Sequence, residues 1–105
     1  MKYLVSGSSG PGFGSPEEAK QLLENVVHPS FERLVALEAE GKISGSGLPV
    51  GDRAIVFVLD AASHSEADSI IQNLPIWPLL EWEVVALQGV AERLAQEKEL
   101  LARMG

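Results

Sequence analysis

The stretch Asn73-Leu74-Pro75-Ile76-Trp77-Pro78-Leu79-Leu80-Glu81-Trp82-Glu83-Val84 decides how the chain is read. Leu74 closes an apolar series, Ala67, Ile70, Ile71, Leu74, whose spacing is that of one helix face. Ser63 or Ser65 supplies the N-cap for that helix. Pro75 and Pro78 bracket Ile76 and Trp77, and each proline disfavours helical backbone in the residue before it, which predicts a rigid, extended connector. Leu80 to Leu87 then reads as a strand.

Upstream, Arg53 to Asp60 is a strong strand and Ile43 to Leu48 a short one weakened by glycine. Pro49-Val50-Gly51-Asp52 between them is a turn, so the two form a hairpin. A helix precedes the hairpin. Ser15 caps it, Pro16 takes the first helical position, and Glu17 and Glu18 sit in the first turn, where the helix dipole favours acids. Its apolar positions are Ala19, Leu22, Leu23, Val26, Val27, Phe31, Leu34 and Leu37, and Glu40-Gly41-Lys42 ends it with a glycine C-cap. Pro29 lies within this span and predicts a kink or break near His28. Lys2 to Ser6 is a first strand, followed by a breaker-rich loop from Gly7 to Gly14. From Gly89 the chain is helical again, with Val90, Leu94, Leu101 and Met104 on one side and charged residues on the other.

The order is βαββαβ plus a C-terminal helix. The expected fold is α+β and ferredoxin-like: an antiparallel four-stranded sheet with two helices on one face. Residues 1–88 form this domain and 89–105 a helical extension. A sheet covered on one face normally alternates polar and apolar residues. The third strand does not, with Ile55, Phe57 and Leu59 on one side and Ala54, Val56 and Val58 on the other. The fourth carries Leu80, Trp82, Val84 and Ala86 on one side and Val85 and Leu87 at the end of the other. A second apolar face left in water promotes association, so the expected partner is a second copy of the chain, packed sheet to sheet.

Composition removes several functions. All 105 residues fit one domain. There is no cysteine, which excludes a disulfide scaffold, a thiolate metal site and a cysteine nucleophile. The net charge of −7 argues against nucleic acid and anionic membranes as partners. No apolar run reaches the roughly 18 residues of a membrane span, and the N-terminus lacks a signal-peptide layout, so a cytoplasmic protein is expected.

The Asn73–Val84 stretch resembles the C-terminal motif of the muconolactone isomerase family, in which the second helix ends in Asn/Gln-Leu-Pro, followed by an apolar-aromatic pair, a second proline and an acidic, apolar final strand. Glu40-Gly41-Lys42 and Phe57 to Asp60 fit the same pattern. The resemblance covers roughly residues 1 to 88. It implies a dimeric α+β barrel, higher homo-oligomers, and a cofactor-free isomerase that moves a proton within a small lactone acid. Glu32 matches an acid of the family's first-helix cluster, and Ser30 stands where another falls. Ile43-Ser44-Gly45-Ser46-Gly47-Leu48 replaces strands that carry bulky polar groups in the family, which enlarges the expected pocket.

Candidate chemistry is sparse. His28 and Glu32 are one helical turn apart and can form a general acid/base pair. The competing reading is a surface histidine beside a structural proline. Tyr3 can donate to a substrate oxygen, Ser46 lies where the small side chains open space, and Trp77 can line a pocket for a flat ligand. Ser8, Ser9 and their glycines form a loop or lid rather than a P-loop. Asp52-Arg53 reads as a turn ion pair. His64 has no carboxylate cluster at ligand spacing, so no metal is assigned, and no cofactor is expected. The leading function is a small-acid isomerase. The alternative is a non-catalytic ligand-binding or assembly protein on the same scaffold.

Overall fold

A computed structural model describes residues 1–10 and 12–105. Its strands are β1 (Lys2–Ser8), β2 (Ile43–Gly47), β3 (Ile55–Asp60) and β4 (Glu81–Leu87). Its α-helices are α1 (Pro16–Leu22), α2 (His28–Ala39), α3 (His64–Gln72) and α4 (Val90–Arg103). The sheet order is β2-β3-β1-β4 with every pairing antiparallel, which is the ferredoxin-like arrangement.

Local chemistry fixes the helix ends. The hydroxyl of Ser15 accepts the Glu18 N–H at 3.1 Å, and Glu18 in return accepts the Gly14 N–H at 3.2 Å. Ser63, not Ser65, caps α3 by accepting the Glu66 N–H at 3.1 Å, while Glu66 takes the Ala62 N–H at 2.8 Å. In each Ser-x-x-Glu pair the serine satisfies an amide of the first helical turn and the glutamate takes the amide just before the cap. At the end of α2, Gly41 adopts φ +79°, and the N–H groups of Gly41 and Lys42 reach the carbonyls of Glu38 and Leu37. This is a Schellman closure, and its left-handed residue is the predicted glycine.

Two expectations change. Near His28, where a kink or break was expected, the helix is irregular but continuous. It passes through a π-turn, Leu23–Val27, in which the His28 N–H reaches back five residues to the Leu23 carbonyl. The wider turn makes room for a ring that would otherwise strike the preceding turn, and it falls where the proline has no N–H to give. The connector at Pro75–Pro78 is not extended. Ile76 has φ −80° and ψ −8°, and Trp77–Leu79 is a 3-10 turn with Pro78 in its first positions. Proline is well suited to an initial helical position, which outweighs its effect on the residue before it.

The core lies between the sheet and the helices. Tyr3, Val5, Ile55, Phe57 and Leu59 rise from the sheet to meet Leu34, Leu37, Ala67, Ile71, Leu74 and Ile76. Burying side chains such as Phe57 and Leu37 contributes roughly 1.5–3 kcal/mol each. The other face carries Leu4, Val58 and Val85 in one cross-strand row, with Leu87 and Val56 in the rows beside it. No helix covers this face, and Leu4, Val85 and Leu87 are exposed. Every residue of α4 is also exposed. The radius of gyration is 17.6 Å and the long axis 67 Å. A compact domain of this length has a radius near ~13 Å, so α4 projects away from the body and does not fold back over the open face.

Candidate functional site

A cavity of about 210 Å³ lies between the first helical segment and the sheet. Its helical wall is Leu22, Leu23, Val27 and Phe31, presented by the π-turn and the turns on either side of it. Ile55 on β3 and Ile76, Leu79 and Leu80 from the connector form the opposite wall. Among the described residues, its only ionisable lining side chains are Asp52 and Arg53. The turn places them there. The Asp52 N–H donates to the Pro49 carbonyl at 3.1 Å, Gly51 takes φ +79°, and Asp52 Oδ1 accepts the Arg53 N–H at 2.7 Å.

Arg53 lies over the ring of Phe13, 4.7 Å from its centroid, in a cation–π contact. The Gly/Ser loop therefore comes down onto the cavity mouth. Ser9 holds a left-handed φ of +60°, which is uncommon for a residue with a side chain. At Gly10 a Cβ would lie 3.2 Å from the Arg53 carbonyl oxygen and 3.3 Å from Leu80, so glycine permits this close approach.

The connector is anchored by Ser30. Its hydroxyl donates to the Val26 carbonyl at 2.7 Å and accepts the Ile76 N–H at 3.0 Å. Ser30 is fully buried, and through Ile76 it fixes one wall of the cavity. Sequence reasoning noted Ser30 only as a position where a relative carries an acid. Its partner is 46 residues away, and nothing local signals the contact.

The sequence-predicted residues are not brought together. His28 and Glu32 lie on the exposed side of α2 and do not line the cavity. Trp77 is partly exposed in the 3-10 turn, where its carbonyl accepts the indole N–H of Trp82 at 2.9 Å. Ser46, exposed on the edge strand β2, donates to the Glu38 carboxylate. Tyr3 is buried toward the far end of β1, and its hydroxyl pairs with His64 Nδ1 at 2.6 Å. That pair, separated by 61 residues in sequence, flanks a shallow groove with Asp68 and Val84. Among the described residues, no group of three or more His, Asp or Glu side chains is placed to hold a metal ion.

The fold and this cavity define a class: a small ferredoxin-like α+β protein with a largely apolar pocket between helices and sheet. Residues 1–93 match the profile of the muconolactone delta-isomerase family, and the chain belongs to that family. A crystal structure of muconolactone isomerase superposes with a TM-score of 0.69 at 24% identity, over 85% of this chain and 90% of that one. A 5-chloro-2-hydroxyhydroquinone dehydrochlorinase from Burkholderia phenoliruptrix AC1100, in complex with 2,5-dihydroxybenzoquinone, gives 0.64 at 18% identity, over 88% and 98%. No curated protein matches the chain. At these identities the two structures share the fold. Among the described residues, no helix is long and apolar enough to cross a membrane.

Proposed function

We propose that this chain forms a homo-oligomer that takes a small organic acid into the cavity between helices and sheet and isomerises it by proton transfer, without a cofactor. The observation that carries this reading is the cavity itself, lined by apolar walls with one carboxylate and one guanidinium beside them, in a member of this family. Arg53 is the anion-binding group. Asp52 exchanges the proton with the ligand; among the described residues it is the carboxylate that lines the cavity, whereas His28 and Glu32 are exposed on α2.

The apolar open face, with Leu4, Val58, Val85 and Leu87, packs against the same face of a second chain to close an α+β barrel. The two-faced helix α4 reaches onto the partner. Support comes from the exposure of both surfaces in the single chain.

Turnover of muconolactone and related lactone acids tests the enzyme. The expected result is activity that survives His28→Ala and Glu32→Ala and is lost in Asp52→Asn. Activity that survives Asp52→Asn but is lost in the other two returns the chemistry to the helix pair. A second reading, ligand binding without catalysis, is favoured by the near-absence of titratable groups in the lining. Ligand binding with no turnover of any lactone acid would select it.

A further inference from the structure

We infer that Phe13 is the movable wall of the cavity, closing over a bound lactone acid and slowing its release. This rests on the reading of the cavity as the small-acid site and adds how that site holds and exchanges its ligand.

The inference follows from what keeps each wall in place. Val27, Phe31, Leu79 and Leu80 line the cavity and also pack against the buried core, so the fold fixes them. Ile55 and Ile76 are core residues themselves. Phe13 lines the same cavity but lies outside that core, and it is 42% exposed. Its ring is seated by the Arg53 guanidinium, 4.7 Å from the centroid. A cation–π contact at an exposed site favours the seated ring by only about two- to fivefold. The backbone on either side is tied more firmly. The Ser9 hydroxyl donates to the Glu81 carboxylate at 3.3 Å, and the Gly14 N–H donates to the Glu18 carboxylate at 3.2 Å. The strap is anchored, while the ring it carries can turn between cavity and solvent about its own side-chain bonds.

An acid in the cavity brings carbon surface that the Phe13 ring can cover, and covering exposed aromatic area is favourable. Binding therefore shifts the ring toward its inward position, and the ligand leaves when the ring turns out. The polar groups of the acid keep the partners already assigned to them, since the closing wall adds apolar contact alone.

The test uses the full-length protein and 5-oxotetrahydrofuran-2-acetate, a lactone acid without the ring double bond that isomerisation would move. In NMR spectra the ligand's ring protons are expected to contact the methyl groups of Leu23 and Val27 and the aromatic protons of Phe13. Phe13→Ala should weaken binding about fivefold, with nearly all of the change in the dissociation rate read from line shapes during the titration. Phe13→Leu, which keeps an apolar cover, should recover most of that loss. Urea unfolding of Phe13→Ala without ligand should match the wild type, because the ring lies outside the core.

The closing wall is overturned, with the site intact, if Leu23 and Val27 contact the ligand but Phe13 does not, or if Phe13→Ala leaves the dissociation rate unchanged. A lowered unfolding midpoint in Phe13→Ala would also overturn it, by making the ring a packing residue. The cavity reading falls together with it if the acid does not bind at millimolar concentration or if its contacts lie elsewhere on the protein.

Discussion

Ser30 shows what one side chain does for the cavity. Its hydroxyl accepts the Ile76 N–H and donates to the Val26 carbonyl inside the protein. Ser30→Ala leaves a buried amide unsatisfied, which costs about 1–3 kcal/mol. Urea denaturation should show the unfolding free energy lowered by that amount, seen as a lower midpoint with the slope unchanged, and ligand affinity should fall with it as the wall at Ile76 loosens. Gly7 makes the opposite point. It lies across from Trp82 on β4, and a Cβ there would be 2.8 Å from the indole and 2.9 Å from Leu80. Gly7→Ala should displace Trp82 and destabilise the fold by about 1–3 kcal/mol, the usual range for overpacking. Near-ultraviolet circular dichroism would report the displaced ring. An unchanged spectrum and stability would mean that Trp82 packs elsewhere.

At the level of elements, much was legible from the sequence. The Ser15 cap, the choice of two serines for the α3 cap, the glycine closing α2 and the turn before β3 follow from side chains acting on their own neighbours, and such local chemistry can be read along a line. The π-turn at Leu23–Val27 and the 3-10 turn at Trp77–Leu79 were not legible. Proline restricts backbone geometry in more than one permitted way, and packing against the sheet chooses among them. The cavity was hidden for a related reason. Leu22, Val27, Phe31, Ile55 and Ile76 each look like core residues, and only their convergence leaves a space. The Tyr3–His64 pair and the Ser30–Ile76 contact join residues too far apart in sequence for any spacing to reveal them. Helix α4 belongs to this scale too. All of it is exposed, so Leu94→Glu with Leu101→Glu should leave the thermal unfolding of the isolated chain unchanged. The same pair should weaken self-association measured by analytical ultracentrifugation. Association equal to the wild type would remove α4 from the interface.

For the whole molecule, a chain of 105 residues has a core of its own and still leaves one face of its sheet apolar. That face and the projecting helix make the oligomer the expected working unit, and the charge of −7 then keeps its outer surface soluble. Light scattering should give a mass that is a multiple of 11.3 kDa, and Val58→Glu on the open face should reduce it toward one chain. A wild-type protein that stays at 11.3 kDa at micromolar concentration would refute the interface. Whether the cavity is the small-acid site is tested most directly by a crystal structure grown with muconolactone. The expected complex has the lactone ring among Leu23, Val27, Phe31 and Ile76, with its carboxylate toward Arg53. A cavity without the acid, and the acid bound beside His28 and Glu32 or in the groove at Tyr3 and His64, would contradict it.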